Sequence, residues 1–194
     1  MRGQAHTLEA LAASILLLSG IVFALQATAV TPLTGSTSNQ YIENQQRHVA
    51  DGLLATQADN GTLKEAILYY DDGNGTFHGA STDGYAGGGP PTAFGSALNE
   101  TFVERGVAVN VNLYYVRNAS GDRLPPRPMV NMGRPSPNAA IASQTVTLYD
   151  DDRIVEADGS TGAPVTSGDH FTDDIAPRNE LFSVVRVEVV VWRM

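Results

Sequence analysis

The sequence predicts an α+β protein, on three observations. Residues 10–30 form an uncharged apolar run, residues 40–58 carry larger side chains at three- and four-residue steps, and residues 107–116 and 181–192 alternate with a period of two. The first two patterns belong to helices and the third to strands.

The apolar run reads Ala-Leu-Ala-Ala-Ser-Ile-Leu-Leu-Leu-Ser-Gly-Ile-Val-Phe-Ala-Leu-Gln-Ala-Thr-Ala-Val, with Ser14, Ser19, Gln26 and Thr28 as its polar members. About 20 apolar residues cross a hydrocarbon core as a helix, so residues 8–30 are expected to span a membrane. Residues 1–7 precede it as a short leader containing Arg2. Glu9 stands at the mouth of the run, where an ionisable group is costly and needs a partner. Pro32 and Gly35 predict a hinge over residues 31–39. A helix is expected to resume over residues 40–58, where Tyr41, Ile42, Gln45, Val49, Gly52, Leu53 and Thr56 recur on one side and Ser38 or Asn39 can cap it.

Residues 40–194 read as one domain. Asn60-Gly61 turns the chain, residues 63–70 form a short helix or strand, and residues 71–91 form a glycine-rich surface loop. Residues 93–105 predict a helix with Phe94, Leu98, Phe102 and Val103 on one side, stopped by Gly106. The clearest strand follows, with Val107, Val109, Val111, Leu113 and Tyr115 on one face and Asn110 and Asn112 on the other. Residues 124–137 hold five prolines and read as an extended loop. Residues 144–149 predict a strand, 153–156 a brief return strand, and 159–174 a turn-rich loop. In the last strand, near-continuous valine over residues 181–192 predicts a central position covered on both sides.

Composition bounds the function. The chain has 21 acidic and 12 basic residues, a net charge of −9, and Lys64 as its single lysine. This acid-rich, lysine-poor balance resembles haloarchaeal proteins, whose hydrated acidic surfaces stay soluble in high salt; an ordinary acidic surface fits the same count. The charge argues against nucleic acid as a partner, since phosphate binding needs a basic patch. Cysteine is absent, which excludes disulfides, thiolate metal sites and cysteine nucleophiles.

Four Asn-X-Ser/Thr sequons make Asn60, Asn74, Asn99 and Asn118 candidate N-glycosylation sites. Turn asparagines give the same matches. Asp71-Asp72-Gly73-Asn74-Gly75 lacks the spacing and terminal glutamate of a calcium loop. Asp150-Asp151-Asp152 and Asp173-Asp174 read as hydrated surface acids. His6, His48, His78 and His170 show no metal-ligand spacing; His6 falls in the leader and the others are expected at the surface. There is no nucleophile elbow, and Gly87-Gly88-Gly89 leads into prolines where a phosphate loop would lead into a helix. No catalytic, cofactor-binding or metal site is expected, and no cofactor; an enzyme is not.

Arg2-Gly3-Gln4, then Thr7-Leu8-Glu9, then the apolar helix, is similar to the N-terminus of archaeal type IV pilin-like proteins. The resemblance covers about thirty residues. It implies a membrane peptidase of the prepilin type that cuts on the cytoplasmic side, a helix that stays on the protein, and a filament in which that helix packs against its neighbours. Carried over, Gly3–Gln4 is the processed bond and Glu9 the assembly acid, paired with the amine of an adjacent subunit. The resemblance further implies a long N-terminal hydrophobic helix carrying a small, mainly antiparallel sheet, with residues 40–194 outside the cell, the N-terminus cytoplasmic, and other pilin-like subunits as partners. The expected function is thus a structural subunit, pilin-like or pseudopilin-like, of a surface filament or secretion-type apparatus. Two other fates remain open on the same residues. One is a single-pass surface protein that never polymerises. The other is a secreted binding domain released after Ala29, for which Ala27-Thr28-Ala29 supplies the small residues.

Overall fold

The computed structural model describes residues 2–116, 124–167 and 170–193, and for residues 2–5 and 27–39 the backbone alone. The protein is α+β, and the chain divides into two units, Met1–Ile42 and Glu43–Met194. Helix α1 (Arg2–Asp59) makes up the first unit and contributes residues 43–59 to the second.

The expected hinge over residues 31–39 is not a break, because the backbone is helical throughout. An interior proline removes one main-chain hydrogen bond and costs about 3 kcal/mol. The long helical runs on either side offset a loss of that size, so Pro32 does not end the helix.

In the second unit the elements follow as α2 (Thr62–Leu68), β1 (Tyr70–Asp71), β2 (Thr76–Phe77), α3 (Ala93–Thr101), β3 (Val107–Tyr114), β4 (Arg127–Asn131), β5 (Ala140–Tyr149), β6 (Arg153–Val155), β7 (Thr161–Pro164) and β8 (Leu181–Arg193). The main sheet is antiparallel with strand order β4-β3-β8-β5. Two small hairpins, β1-β2 and β6-β7, accompany it.

Alternation fixes which side chains the sheet buries. Val109, Val111 and Leu113 of β3, Ala140, Ala142, Val146 and Leu148 of β5, and Val185, Val187, Val189 and Val191 of β8 all face one core. Helices α2 and α3 add Leu63, Ala66, Ile67, Phe94 and Leu98, and the 43–59 segment of α1 adds Ala50 and Leu54. That segment supplies two fully buried side chains, whereas α2 and α3 supply five. Asn60 and Gly61, the latter in left-handed backbone at φ 76°, turn the chain so that α2 joins this layer.

β8 is central, as its valine content requires. Among the described residues its second face is covered at one end, where Val190 and Trp192 pack with Ala108, Met132 and Ala139. Toward the other end, Arg186 is exposed, with its guanidinium 4.5 Å from the centre of the Tyr114 ring, and the Tyr114 hydroxyl donates to Glu188 Oε1 at 3.0 Å.

Three expected loops contain regular structure. Residues 124–137 hold strand β4 despite Pro128. β4 lies at the edge of the main sheet, where a missing N–H is tolerated, and the β3–β4 register shifts between Val111 and Asn112, where Pro128 sits. Residues 71–91 hold the β1-β2 hairpin, and residues 159–174 hold β7 and a turn of 3₁₀ helix over Val165–Ser167. Strand β5 begins four residues before its expected start, since in this part the buried face carries only Ala140 and Ala142 while the large apolar Ile141 is exposed, so alternation gives little signal. The expected 93–105 helix is α3 followed by a 3₁₀ turn over Val103–Arg105, closed by Gly106 at φ 71°.

Candidate functional site

Residues 6–26 form the stretch most unlike a soluble protein. Their mean hydropathy is 2.2, and none of the 21 residues is buried. Leu8, Leu11, Ile15, Leu16, Leu17, Leu18, Ile21, Val22, Phe23 and Leu25 are each more than half exposed. They are distributed around the whole circumference, the pattern of a helix that meets apolar surroundings on every side.

The polar side chains are dealt with locally. Ser14 Oγ donates to the Ala10 carbonyl at 2.7 Å and Ser19 Oγ to the Ile15 carbonyl at 2.8 Å. Both hydroxyls are thereby satisfied inside the helix, which lowers the cost of placing them in hydrocarbon. Glu9 is 80% exposed, and its Oε2 lies 3.5 Å from His6 Nδ1 one turn earlier. The leader histidine is thus a partner for the acid, a pairing that the i,i+3 spacing makes available. The Gly3–Gln4 backbone is helical.

The sequons separate by environment. Asn60 is exposed at the turn after α1. Asn74 is exposed too, but its Nδ2 donates to Asp71 Oδ2 at 2.6 Å, and these Asn74 bonds hold the Asp71 carboxyl below its usual range. Asn99 is half-buried, with its Oδ1 enclosed and unpartnered beside Gly88. Asn118 lies outside the described residues. Transfer of a glycan needs a free amide nitrogen on an accessible turn. In a host that N-glycosylates, glycopeptide mass spectrometry is therefore expected to find sugar on Asn60 and none on Asn99.

Two histidines depart from the surface positions expected for them. His78 is mostly buried, with Nδ1 3.8 Å from Asp71 Oδ2 and Nε2 4.0 Å from Glu156 Oε2. His170 lies among Tyr70, Phe171 and Phe182. Its Nδ1 is 2.8 Å from Thr172 Oγ1, and the Thr172 N–H donates to the same nitrogen at 3.4 Å. That assigns the proton to Nε2, which faces the Ile67 carbonyl at 3.5 Å. Burial pushes this imidazole down to about 4, against the pull of the Ile67 carbonyl and aided by the Arg127 charge. The group is neutral in the folded state and takes up a proton near pH 6.5 once unfolded. Its contribution to stability is complete above pH 6.5 and is lost as pH falls from 6.5 toward 4. The gap corresponds to about 3 kcal/mol. His170→Gln is expected to flatten that part of the stability–pH curve, measured by denaturant titration between pH 7 and 4. Aromatic residues flanking a histidine, as in His170-Phe171, were the only local signal of this burial.

Asp152 is also not a free surface acid, since its carboxylate accepts from Lys64 Nζ at 2.8 and 3.0 Å. Among the described residues no three His, Asp or Glu side chains gather to hold a metal ion.

The sequence matches the family of unknown function DUF7288 over residues 2–191, which takes in both the apolar helix and the sheet. The chain belongs to the DUF7288 family. No curated protein and no solved structure matches this DUF7288 member. Its one described helix that is long and apolar enough to cross a membrane is compatible with a single-pass anchor.

Proposed function

We propose that this protein is a structural subunit, pilin-like or pseudopilin-like, of an archaeal surface filament or secretion-type apparatus. The observation that carries the reading is Glu9, the one acid in an otherwise apolar, wholly exposed helix over residues 6–26. A plain anchor gains nothing from a carboxylate there, and an unpaired one costs several kcal/mol in the membrane. In a filament the acid has a use: it pairs with a neighbouring subunit's new N-terminal amine and fixes the stagger of the helices. The uncharged circumference then packs against other subunits as it first packed against lipid. Arg2 keeps the leader cytoplasmic, and the sheet domain lies outside.

The His6–Glu9 approach favours a second reading, a single-pass surface protein that does not polymerise. There the histidine one turn away answers the acid within its own chain. The first test is the mature N-terminus, read by mass spectrometry on membrane fractions and medium. A start at Gln4 or Ala5 with the helix retained supports the pilin-like reading. An intact Met1 in the membrane supports the plain anchor. A start at Val30 in the medium overturns both.

A further inference from the structure

The two edges of the main sheet are treated differently. The outer side of β4 is short, holds Pro128, and is closed by Tyr85. The Tyr85 N–H donates to the Met129 carbonyl at 2.9 Å, and its carbonyl accepts from the Asn131 N–H at 2.8 Å. Gly84, at φ 86°, permits this approach, since a Cβ there would lie 2.8 Å from the Met129 oxygen. The edge at β5 has no such cover. Strand β5 spans Ala140–Tyr149 without a charge or a proline. Among the described residues, the main chain of 140–148 bonds to nothing other than β8. Natural sheets blunt such edges with charge, proline or a covering segment; β5 itself carries neither charge nor proline, and the charge beside it, Lys64, stands 5.0 Å from the Tyr149 ring centre and is paired with Asp152. The turn after α1 stands back from it, leaving an open cleft of about 220 Å³ between Ala58, Gly61 and Lys64 on one side and Thr145 to Thr147 on the other.

From the geometry we propose that β5 is a pairing edge for a second copy of this chain, antiparallel, on a two-fold axis at Thr145. Three features select a second copy. In a chain of net charge −9, β5 is a segment where two copies meet without opposing like charges. The strand is self-complementary about Thr145. On the open face Thr145 meets Thr145, Ser143 meets Thr147, and Ile141 meets Tyr149; on the covered face Ala142 meets Leu148 and Gln144 meets Val146. Finally, Ile141 and Tyr149 are the exposed large apolar side chains of the described sheet, at 50% and 46%. They stand at equal distances from the axis, and pairing brings each against the other's counterpart. The new ladder runs through residues 142–148. Tyr149 joins by its side chain, because its N–H and carbonyl already bond Asp152. A two-fold contact of this kind closes on itself and does not rest on the filament reading, which needs contacts that propagate.

The test uses the full chain in detergent and in membranes. The protein lacks cysteine, so Thr145→Cys places a single thiol on the proposed axis, where facing Cβ atoms approach to about 4.5–5.5 Å. Mild oxidation is expected to give a covalent dimer, about tenfold more than Thr161→Cys on the exposed β6-β7 hairpin. Thr145→Lys sets two like charges against each other, and sedimentation is expected to show the dimer weakened about tenfold or more. Circular dichroism melts check that the lysine variant stays folded; if it does not, the cysteine comparison alone decides. Equal cross-linking at positions 145 and 161, or a wild-type chain that stays monomeric across the concentration series, overturns the proposal. So does a dimer that survives Thr145→Lys, which would assign association to the apolar helix instead.

Discussion

On the pilin-like reading proposed above, replacing Glu9 by Gln is expected to abolish assembly while leaving the protein in the membrane. The substitution keeps the size and polarity of the side chain and removes only its charge. The run over residues 10–30 is untouched, so membrane extraction should be unchanged. If Glu9 registers one subunit against the next, filaments counted by electron microscopy should fall by about tenfold or more, which is the effect of losing roughly 1.4 kcal/mol at each contact. A buried pair broken on one side loses at least that much. His6→Ala is the matching variant, since His6 Nδ1 lies 3.5 Å from Glu9. A polymer that needs only the neighbour's amine should tolerate it. A monomeric anchor should be indifferent to Glu9→Gln and should show the larger effect with His6→Ala, read as loss of protein from the membrane fraction.

Gly95→Ala should be the most damaging single-methyl change in the sheet domain. A Cβ at Gly95 would overlap the Pro90 carbonyl oxygen and lie 2.8 Å from the Pro90 carbonyl carbon and 2.9 Å from that of Gly89. Backbone stands on the other side of the contact, so no rotamer change relieves it. Overpacking of this kind costs about 1–3 kcal/mol and more where the neighbour cannot move. We expect about 3 kcal/mol, a fall in Tm of roughly 10 °C for a domain of this size. Gly52→Ala is the contrast: nothing lies within 4 Å of its Cβ, and alanine is favoured inside a helix by about 1 kcal/mol. Thermal melts of the two variants should move in opposite directions.

The Gly95 contact explains why the glycine-rich stretch before α3 reads as a loose surface excursion and is not one. Gly88, Pro90 and Thr92 are buried, and Thr92 caps α3 through Oγ1, 3.5 Å from the Gly95 N–H. Nothing in a run of three glycines and two prolines signals burial, because hydropathy periodicity needs side chains to display it.

The sequence alone determined the features that depend on neighbours along the chain. The membrane-length helix follows from an unbroken apolar run, and the β3 and β8 strands follow from alternation, since period two leaves one face apolar whatever packs on it. The acid at the mouth of the helix is equally legible, being a local exception to composition. Only the tertiary structure decided what depends on distant partners. Pro128 sits in a strand because Tyr85 bonds the outer side of β4 at Met129 and Asn131, and no described acceptor there calls for an N–H at position 128. His170 is buried because α2 supplies the Ile67 carbonyl, more than a hundred positions away, to an imidazole that solvent no longer reaches. Lys64 and Asp152 pair across a similar separation. The bare edge of β5 arises because Tyr85 folds back on β4 and nothing described folds back on β5. A single strand's sequence specifies its two faces, but which of its two edges goes unpaired is settled by its place in the sheet and by the distant segments that pack beside it.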